Sequence, residues 1–335
     1  MALNSEVVIA MDWGGTWIRA SAIDRQGQIL WQDRVANVPD STKEQMLNGA
    51  EDGLRRGCSW CDAQGYAIAG IGVAAAGPVD TETGTLHDPP NLPLMNGVSL
   101  KSLWEPVFGY PVFVGNDANL AAMGEFHYGA GLAAQQRGNP PRTLVYITVS
   151  TGIGGGVVDR GRAFMGAHGL ACEIGHMIID FRSDGPACAC GGSGCLESLA
   201  SGTAISRIAR DRLKNGDGVV STLRNMLPES LTSEMVFGAA SHGDAFSKSI
   251  IDGVVVSLSV GVTSVLHVYN PDLIVLGGGV TEGLKQLELL PRIQGLAVER
   301  AMSRRHGAFA LVASFLGDAV GMVGAASLVW EECGA

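Results

Sequence analysis

A chain of 335 residues, 46% of them hydrophobic, carries enough apolar side chain for a core in each of two ordinary domains, which excludes a disordered or coiled-coil protein. Against 33 acidic residues stand 23 basic ones, giving a net charge of −10, so neither a nucleic-acid backbone nor an anionic membrane surface is expected as a main partner. Glycine supplies 47 residues with no collagen period or low-complexity tract, which leaves tight turns and close backbone approaches as its use.

The first apolar run, Val7 to Met11, stops at Asp12 and is too short for the apolar part of a signal peptide. It reads as the first strand of a meander, followed by Ile18 to Ile23 and Ile29 to Val35, with turns at Asp12-Trp13-Gly14-Gly15 and Asp24-Arg25-Gln26-Gly27. Ser41 with Glu44 forms a capping box for a helix whose apolar face is Met46, Leu47, Ala50 and Leu54. Strands at Ile68 to Ala74 and Pro111 to Val114 flank a long Gly/Pro/Asn-rich loop, Gly77 to Gly97, of the kind that usually carries function.

A second pass in the same order begins at Thr143. Leu144 to Val149 is a strand, Thr151 to Gly156 a glycine-rich turn, and Val157-Val158-Asp159 a returning strand. The segments Ala22-Ile23-Asp24-Arg25 and Val157-Val158-Asp159-Arg160 occupy matching places about 135 positions apart, which predicts two lobes of similar topology. Further on, helices are expected over Ala200 to Lys214 and Val320 to Trp330, and strands over Leu273 to Leu276 and Phe309 to Phe315. Gly253 to Pro271 lacks Asp, Glu, Lys and Arg but holds several Ser and Thr, His267 and Asn270, so it reads as a buried core helix rather than a membrane span. The expected division is a small lobe of residues 1–116 with 317–335 and a large lobe of residues 117–316.

Three glycine clusters each follow a strand: Gly14-Gly15, Gly152 to Gly156, and Gly277-Gly278-Gly279. Any one of them can be a plain tight turn. Together, with Thr16 and Thr151 adding hydroxyls, they supply the backbone N–H donors that a polyphosphate requires. No Gly-Lys dipeptide exists, which excludes the mononucleotide P-loop, and Val157 continues as strand where the dinucleotide fingerprint must open a helix. Seven cysteines include Cys188, Cys190 and Cys195 within eight residues, with His176 twelve positions upstream. Three thiolates and an imidazole complete a closed tetrahedral zinc shell, which suits a reducing cytoplasm better than a disulfide scaffold. Cys58 and Cys61 have CxxC spacing without other redox features and read as surface or half-buried thiols, while Cys172 and Cys333 carry no signal. Asn116-Asp117 ends a strand just before an apolar helical pattern, a place that fits either a helix cap or a ligand site at the carboxyl edge of a sheet. With Glu173 and Glu197 fixed beside the zinc shell, the acceptors suit a polyol.

These motifs resemble the ROK sugar kinases and repressors of the actin, hexokinase and heat-shock chaperone superfamily. The resemblance rests on Asp12-Trp-Gly14-Gly15-Thr16, Asn116-Asp117-Ala118-Asn119, Ser150-Thr151-Gly152-Ile-Gly154-Gly155-Gly156, Glu173-Ile-Gly175-His176, Cys188-Ala-Cys190-Gly-Gly-Ser-Gly194-Cys195-Leu-Glu197 and Gly277-Gly278-Gly279, spread over nearly the whole chain. It implies an α/β, two-lobed actin-like ATPase (ribonuclease H-like) fold with duplicated mixed sheets and a cleft that closes on sugar. Asp117 would be the general base; Gly77, Asn91, Asn116, Glu173, His176 and Glu197 would hold the sugar. Asp12, Gly14, Gly15, Thr16, Thr151 and Gly152 would handle ATP phosphates and Mg²⁺, and Gly277, Gly278 and Gly279 would face the adenosine. His176 would give one ring nitrogen to a structural zinc, with Cys188, Cys190 and Cys195, and the other to the sugar.

Bacterial glucokinases of the family are the nearest likeness, which implies phosphorylation of glucose at its 6-hydroxyl in the cytoplasm by a homodimer or homotetramer. Pro90-Asn91-Leu92-Pro93-Leu94 and Gly166-Ala167-His168-Gly169 instead look like segments of the family's allose kinases. Allose, mannose, fructose and N-acetylmannosamine are therefore the alternative substrates. A repressor on this scaffold needs a helix-turn-helix ahead of the first strand, and a non-catalytic sugar sensor has no need of Asp117 and both phosphate turns, so a kinase is the expected reading.

Overall fold

The computed structural model describes residues 6–37, 41–217 and 220–334. Two compact units make up the chain, one from residues up to 140 with 156–172 and those from 315 on, the other from 141–155 and 173–314. The expected join between 116 and 117 falls inside the first unit, where a strand runs directly into a helix.

In the first unit β1 (Glu6–Trp13), β2 (Trp17–Asp24) and β3 (Ile29–Ala36) form the expected meander, followed by α1 (Lys43–Gln64) and β4 (Ala67–Ala75). The cap of α1 lies one residue beyond the expected one: Thr42 and Gln45, not Ser41 and Glu44, make the reciprocal capping box. Ser-Thr followed by Glu-Gln offers the same pattern in two registers, and the extended backbone at Thr42 selects the second. Of the expected apolar face, Ala50 and Leu54 are fully buried, while Met46 and Leu47 are partly buried.

The segment Gly77 to Gly97 is not an open loop. It holds a short hairpin, β5 (Val79–Asp80) with β6 (Thr85–Leu86), and a 3-10 turn over Pro93–Met95 that seals Leu92 and Met95 in the core. Then come α2 (Leu100–Phe108), capped by Ser99, β7 (Val112–Asn116), α3 (Asp117–His127) and α4 (Ala130–Gln136).

The second unit opens with β8 (Thr143–Val149), whose glycine turn is shorter than expected because β9 (Ile153–Asp159) already contains Gly154 to Gly156. The chain passes into the first unit at Gly156, where a side chain would strike the carbonyl of Ala118 in α3, so glycine here is a packing requirement rather than a turn. After β10 (Arg162–Ala163) comes a short α5 (Leu196–Ala200), and the helix expected over Ala200 to Lys214 is α6 (Gly202–Lys214), which starts two residues later because Ser201 caps it through its side chain. Next are α7 (Ser233–Ser241), α8 (Ala245–Tyr269), β11 (Leu273–Gly277), α9 (Gly279–Gln286), α10 (Leu290–Arg300), β12 (Ala310–Ala313) and, back in the first unit, α11 (Val320–Cys333). By length and composition α8 could cross a membrane, but 61% of its apolar window is buried, and it packs against α5, α7 and α10 as a core helix.

The two five-stranded sheets have the orders β3-β2-β1-β4-β7 and β10-β9-β8-β11-β12. Counted within each set, both read third, second, first, fourth, fifth, the internal duplication that the matching Asp-Arg turns predict. The first sheet is mixed: β1 pairs antiparallel with β2 and parallel with β4, and β4 parallel with β7. Central β1 is buried throughout Val7 to Met11, with α1 and α11 both packed on the sheet.

Where α11 crosses α3, Gly124 and Gly324 meet, and a Cβ on Gly324 would overlap the Leu120 carbonyl. Gly324→Ala is therefore expected to cost about 1–3 kcal/mol, read as a lower urea midpoint. Gly253→Ala on α8, with nothing within 4 Å of its Cβ, should be neutral or stabilising in the same experiment.

Candidate active site

In the first unit the turn between β1 and β2 is held by one bond of its own backbone and two from Asn37. Gly14 N–H donates to the Trp17 carbonyl at 3.0 Å, Asn37 Nδ2 donates to the Gly14 carbonyl at 2.9 Å, and Asn37 N–H to the Thr16 carbonyl at 2.8 Å. With these carbonyls engaged, no hydrogen bond among the described residues takes the N–H groups of Gly15 and Thr16, which stay available as donors. Asp12, at the end of β1, pairs with Arg19 Nη1 at 3.0 Å across the hairpin, where the two residues are register partners. Burial pushes the Asp12 carboxyl above its usual range against the pull of Arg19, and Asp318 adds to the rise. Gly321 in the first turn of α11 lies so close that a Cβ there would stand 2.9 Å from the Asp12 carboxyl carbon. Sequence reasoning missed Arg19 and Asn37; the hairpin register was the available signal for Arg19.

The same unit gathers the expected sugar-side residues around the end of β7. Asn116 caps α3, its Oδ1 accepting from Ala118 N–H at 3.0 Å and Asn119 N–H at 3.1 Å, and its Nδ2 donates to the Gly77 carbonyl at 3.1 Å. Of the two readings of this motif the cap is observed, and the same side chain anchors the Gly77 loop. Gly77 has φ +125°, and a Cβ would stand 2.8 Å from Pro89 Cα, so glycine is required. Asn91 is exposed and lies against Gly15, whose Cβ would come 3.2 Å from that of Asn91. Asp117, half-buried, opens α3 with its Oδ1 accepting from Ala118 N–H at 2.8 Å.

In the second unit α6 grips the β8–β9 turn. Gly202 N–H donates to the Ser150 carbonyl at 2.7 Å, and Thr203 Oγ1 donates to the Thr151 carbonyl at 2.9 Å. These bonds engage the carbonyls, and among the described residues no hydrogen bond takes the N–H groups of Thr151 and Gly152. Gly278, at φ +87°, packs on this turn with its Cβ position 2.8 Å from the Val149 carbonyl carbon. Gly279 then starts α9, presenting the unpaired N–H groups of a helix N-terminus. Gly277, the last residue of β11, lies against the Tyr146 hydroxyl.

Beside the turn lies the cysteine cluster. One ligand atom from each of His176, Cys188, Cys190 and Cys195 falls within 4.8 Å of the others. Cys190 and Cys195 Sγ are 3.8 Å apart, and Cys188 Sγ is 3.6 Å from His176 Nδ1. Metal bonds of about 2.3 Å to sulfur and 2.0–2.1 Å to nitrogen, set at tetrahedral angles, require edges of about 3.8 and 3.6 Å. The donor set therefore fits zinc, with Nδ1 as the imidazole ligand and Nε2 left over. Gly191 and Gly194 take φ of +89° and +69°, conformations that let the chain wrap so small a centre.

Glu197 touches both features. Its Oε2 accepts from Ile153 N–H at 2.8 Å, and its Oε1 accepts from Cys188 Sγ at 3.7 Å. Glu173 precedes the 3-10 turn that carries His176, and Gly175 in that turn sits directly on the Ile153 carbonyl. Burial raises the Glu173 carboxyl, His176 opposes the rise, and Glu197 adds to it. In the other CxxC pair Cys58 is half-buried as expected, while Cys61 is fully buried in the first core; burial pushes Cys61 to about 12 and Cys58 to about 11, which disfavours the thiolate.

Comparison with known proteins adds a lineage to this geometry. The family model described as ROK matches residues 8–332. A glucokinase of Thermotoga maritima is 33% identical over 330 residues, covering 98% of either chain. The crystal structure of a ROK family glucokinase from Streptomyces griseus, in complex with glucose and AMPPNP, is similar with a TM-score of 0.77 and 29% identity over 96% of this chain and 98% of that one. A ROK family transcriptional regulator, homologous to the E. coli MLC protein, has a TM-score of 0.84 and 25% identity, covering 98% of this chain and 78% of the regulator.

Proposed function

Since the chain belongs to the ROK family, we propose that it is an ATP-dependent hexose kinase that phosphorylates the 6-hydroxyl of glucose. The observation that carries this reading is the conjunction in the second unit: a turn with free N–H donors beside two carboxylates and an imidazole anchored on one metal-binding cluster. A polyphosphate needs the first and a polyol the second. A regulator that only senses sugar has no use for the donors.

Asp117 acts as the general base in this reading. It takes the proton of the 6-hydroxyl as that oxygen attacks the γ-phosphorus and the bond to the β–γ bridging oxygen breaks, leaving ADP. Asn116, Asn91 and the Gly77 loop are assigned to holding the sugar, as are Glu173, Glu197 and His176 Nε2, which exchange hydrogen bonds with its hydroxyls. The turns at Gly14-Gly15-Thr16 and Thr151-Gly152 hold phosphate oxygens, with Gly277 to Gly279 against the adenosine. Asp12 offers Mg²⁺ the hard carboxylate oxygen it prefers, and Mg²⁺, when bound, neutralises charge on the phosphates. Arg19 keeps the Asp12 carboxylate oriented. Zinc held by His176, Cys188, Cys190 and Cys195 would be structural, because four protein ligands would leave no position for water. With zinc bound, Cys188 would be a thiolate that no longer donates to Glu197 Oε1, leaving that oxygen for a sugar hydroxyl.

The test is ATP-dependent product formation over glucose, mannose, fructose, allose and N-acetylhexosamines. Glucose 6-phosphate should form with the highest kcat/KM. A preference for allose above tenfold would move the assignment to its 3-epimer, the outcome that Pro90 to Leu94 and Gly166 to Gly169 favour; no turnover on any sugar would remove the kinase. Assembly as a dimer or tetramer belongs to the same proposal and is read by light scattering.

A further inference from the structure

Glu197 has more to do than hold sugar. Two residues after the ligand Cys195 it enters α5, and its carboxylate spans from the metal cluster to the β8–β9 turn. Oε1 is 3.7 Å from Cys188 Sγ, while Oε2 accepts from Ile153 N–H at 2.8 Å. A Cβ on Gly152 would stand 2.6 Å from Oε2, so the carboxylate fills the space that any other residue at 152 would occupy. The turn holding the Thr151 and Gly152 donors thus has one side fixed by α6 and the other by this carboxylate.

We propose that Glu197 is a positioning residue for the nucleotide: carried two residues after Cys195 of the His176/Cys188/Cys190/Cys195 centre and accepting from Ile153 N–H, it makes the conformation of the Thr151–Gly152 phosphate turn depend on an intact centre. The proposal rests on the kinase reading for the identity of the ligand at that turn. Loss of the centre then weakens binding of the nucleoside triphosphate as well as the sugar, because α5 and its carboxylate are no longer held at the turn. By reciprocity, groups that order Glu197 strengthen both ligands.

Two measurements without turnover decide it: hydrogen exchange of the 150–156 amides in ligand-free protein, and affinity for AMPPNP in the absence of sugar. In Glu197→Ala, Ile153 exchange should accelerate and AMPPNP affinity fall, each by about tenfold or more, the effect of losing a hydrogen bond to a charged group. Glu197→Gln keeps an oxygen that accepts from Ile153 N–H, so it should recover both values while sugar binding stays impaired. Wild-type protein stripped of metal should resemble Glu197→Ala in both readouts. Gly152→Ala displaces Oε2 with all four metal ligands intact and should show the same losses, which covers the case of an unfolded Glu197→Ala. Unchanged Ile153 exchange in the folded variants, or AMPPNP affinity within about twofold of wild type, overturns the proposal. If wild type itself fails to bind AMPPNP, the kinase reading falls, and the exchange data still judge the strut.

Discussion

Asp117→Asn is expected to lower kcat by roughly 10²–10⁴-fold, the usual contribution of a general base, with glucose affinity nearly unchanged. The substitution is close to isosteric, and the carboxamide oxygen still accepts from Ala118 N–H as Oδ1 does at 2.8 Å. The start of α3 does not depend on it in any case, because Asn116 supplies the cap. What the amide cannot do is take a proton from the attacking hydroxyl. The variant should therefore separate kcat from binding, the signature of an interaction made only in the transition state. Single-turnover kinetics with calorimetric glucose binding checks this; more than about a tenth of wild-type kcat would take Asp117 out of that role.

Much of the fold could be read from the chain because its central strands are short, uninterrupted apolar runs. Val7 to Met11 and Leu273 to Leu276 admit no other assignment at their length, since central strands covered on both faces lack alternation. The matching Asp-Arg turns made the internal duplication visible before any sheet order was known. What stayed hidden depends on contacts distant in sequence. Helix α2 sits beyond a Gly/Pro-rich stretch and contains Pro106, so local signals argued against it. Gly154 to Gly156 looked like a turn, but Gly156 is glycine because α3 lies against it.

The candidate site divides along the same line. Residues grouped within a short motif, above all His176 with Cys188, Cys190 and Cys195, were legible because a metal-binding pattern constrains both residue type and spacing, and their ligand atoms lie within 4.8 Å of one another. Asn37 and Thr203 were not, since each acts on a backbone reached only through the tertiary fold, whereas the Arg19 pairing with Asp12 follows from the local hairpin register. Asn116 shows the intermediate case. Its cap could be read from the sequence, but its bond to the Gly77 carbonyl, 39 positions away, could not.

Cys190→Ala should abolish metal binding and with it most of the sugar affinity. Between Met177 and Cys195 the chain has almost no core of its own: Ile178 is 67% exposed and Phe181 94% exposed. Its order comes from two isolated bridges, Ile178 with Cys195 and Ala187 with Ser193, and from four ligands converging on one point. Such a segment depends on its metal as small metallodomains do. Three remaining ligands cannot close the shell, so elemental analysis of the variant should find well under one zinc per chain, against one in wild type. With the shell open, Cys195 no longer fixes the start of α5, and Glu197 and Glu173 lose their common anchor. Hydrogen bonds to charged groups contribute roughly 1.5–3 kcal/mol each, so loosening two carboxylates should weaken glucose by on the order of 10²-fold or more. Cys58→Ala, on α1 in the other unit, controls for the loss of a thiol and should leave zinc content and glucose affinity unchanged. A metal-free Cys190→Ala protein that binds glucose as tightly as wild type would mean that the carboxylates are positioned by the fold alone, and the role assigned to the metal would have to be withdrawn.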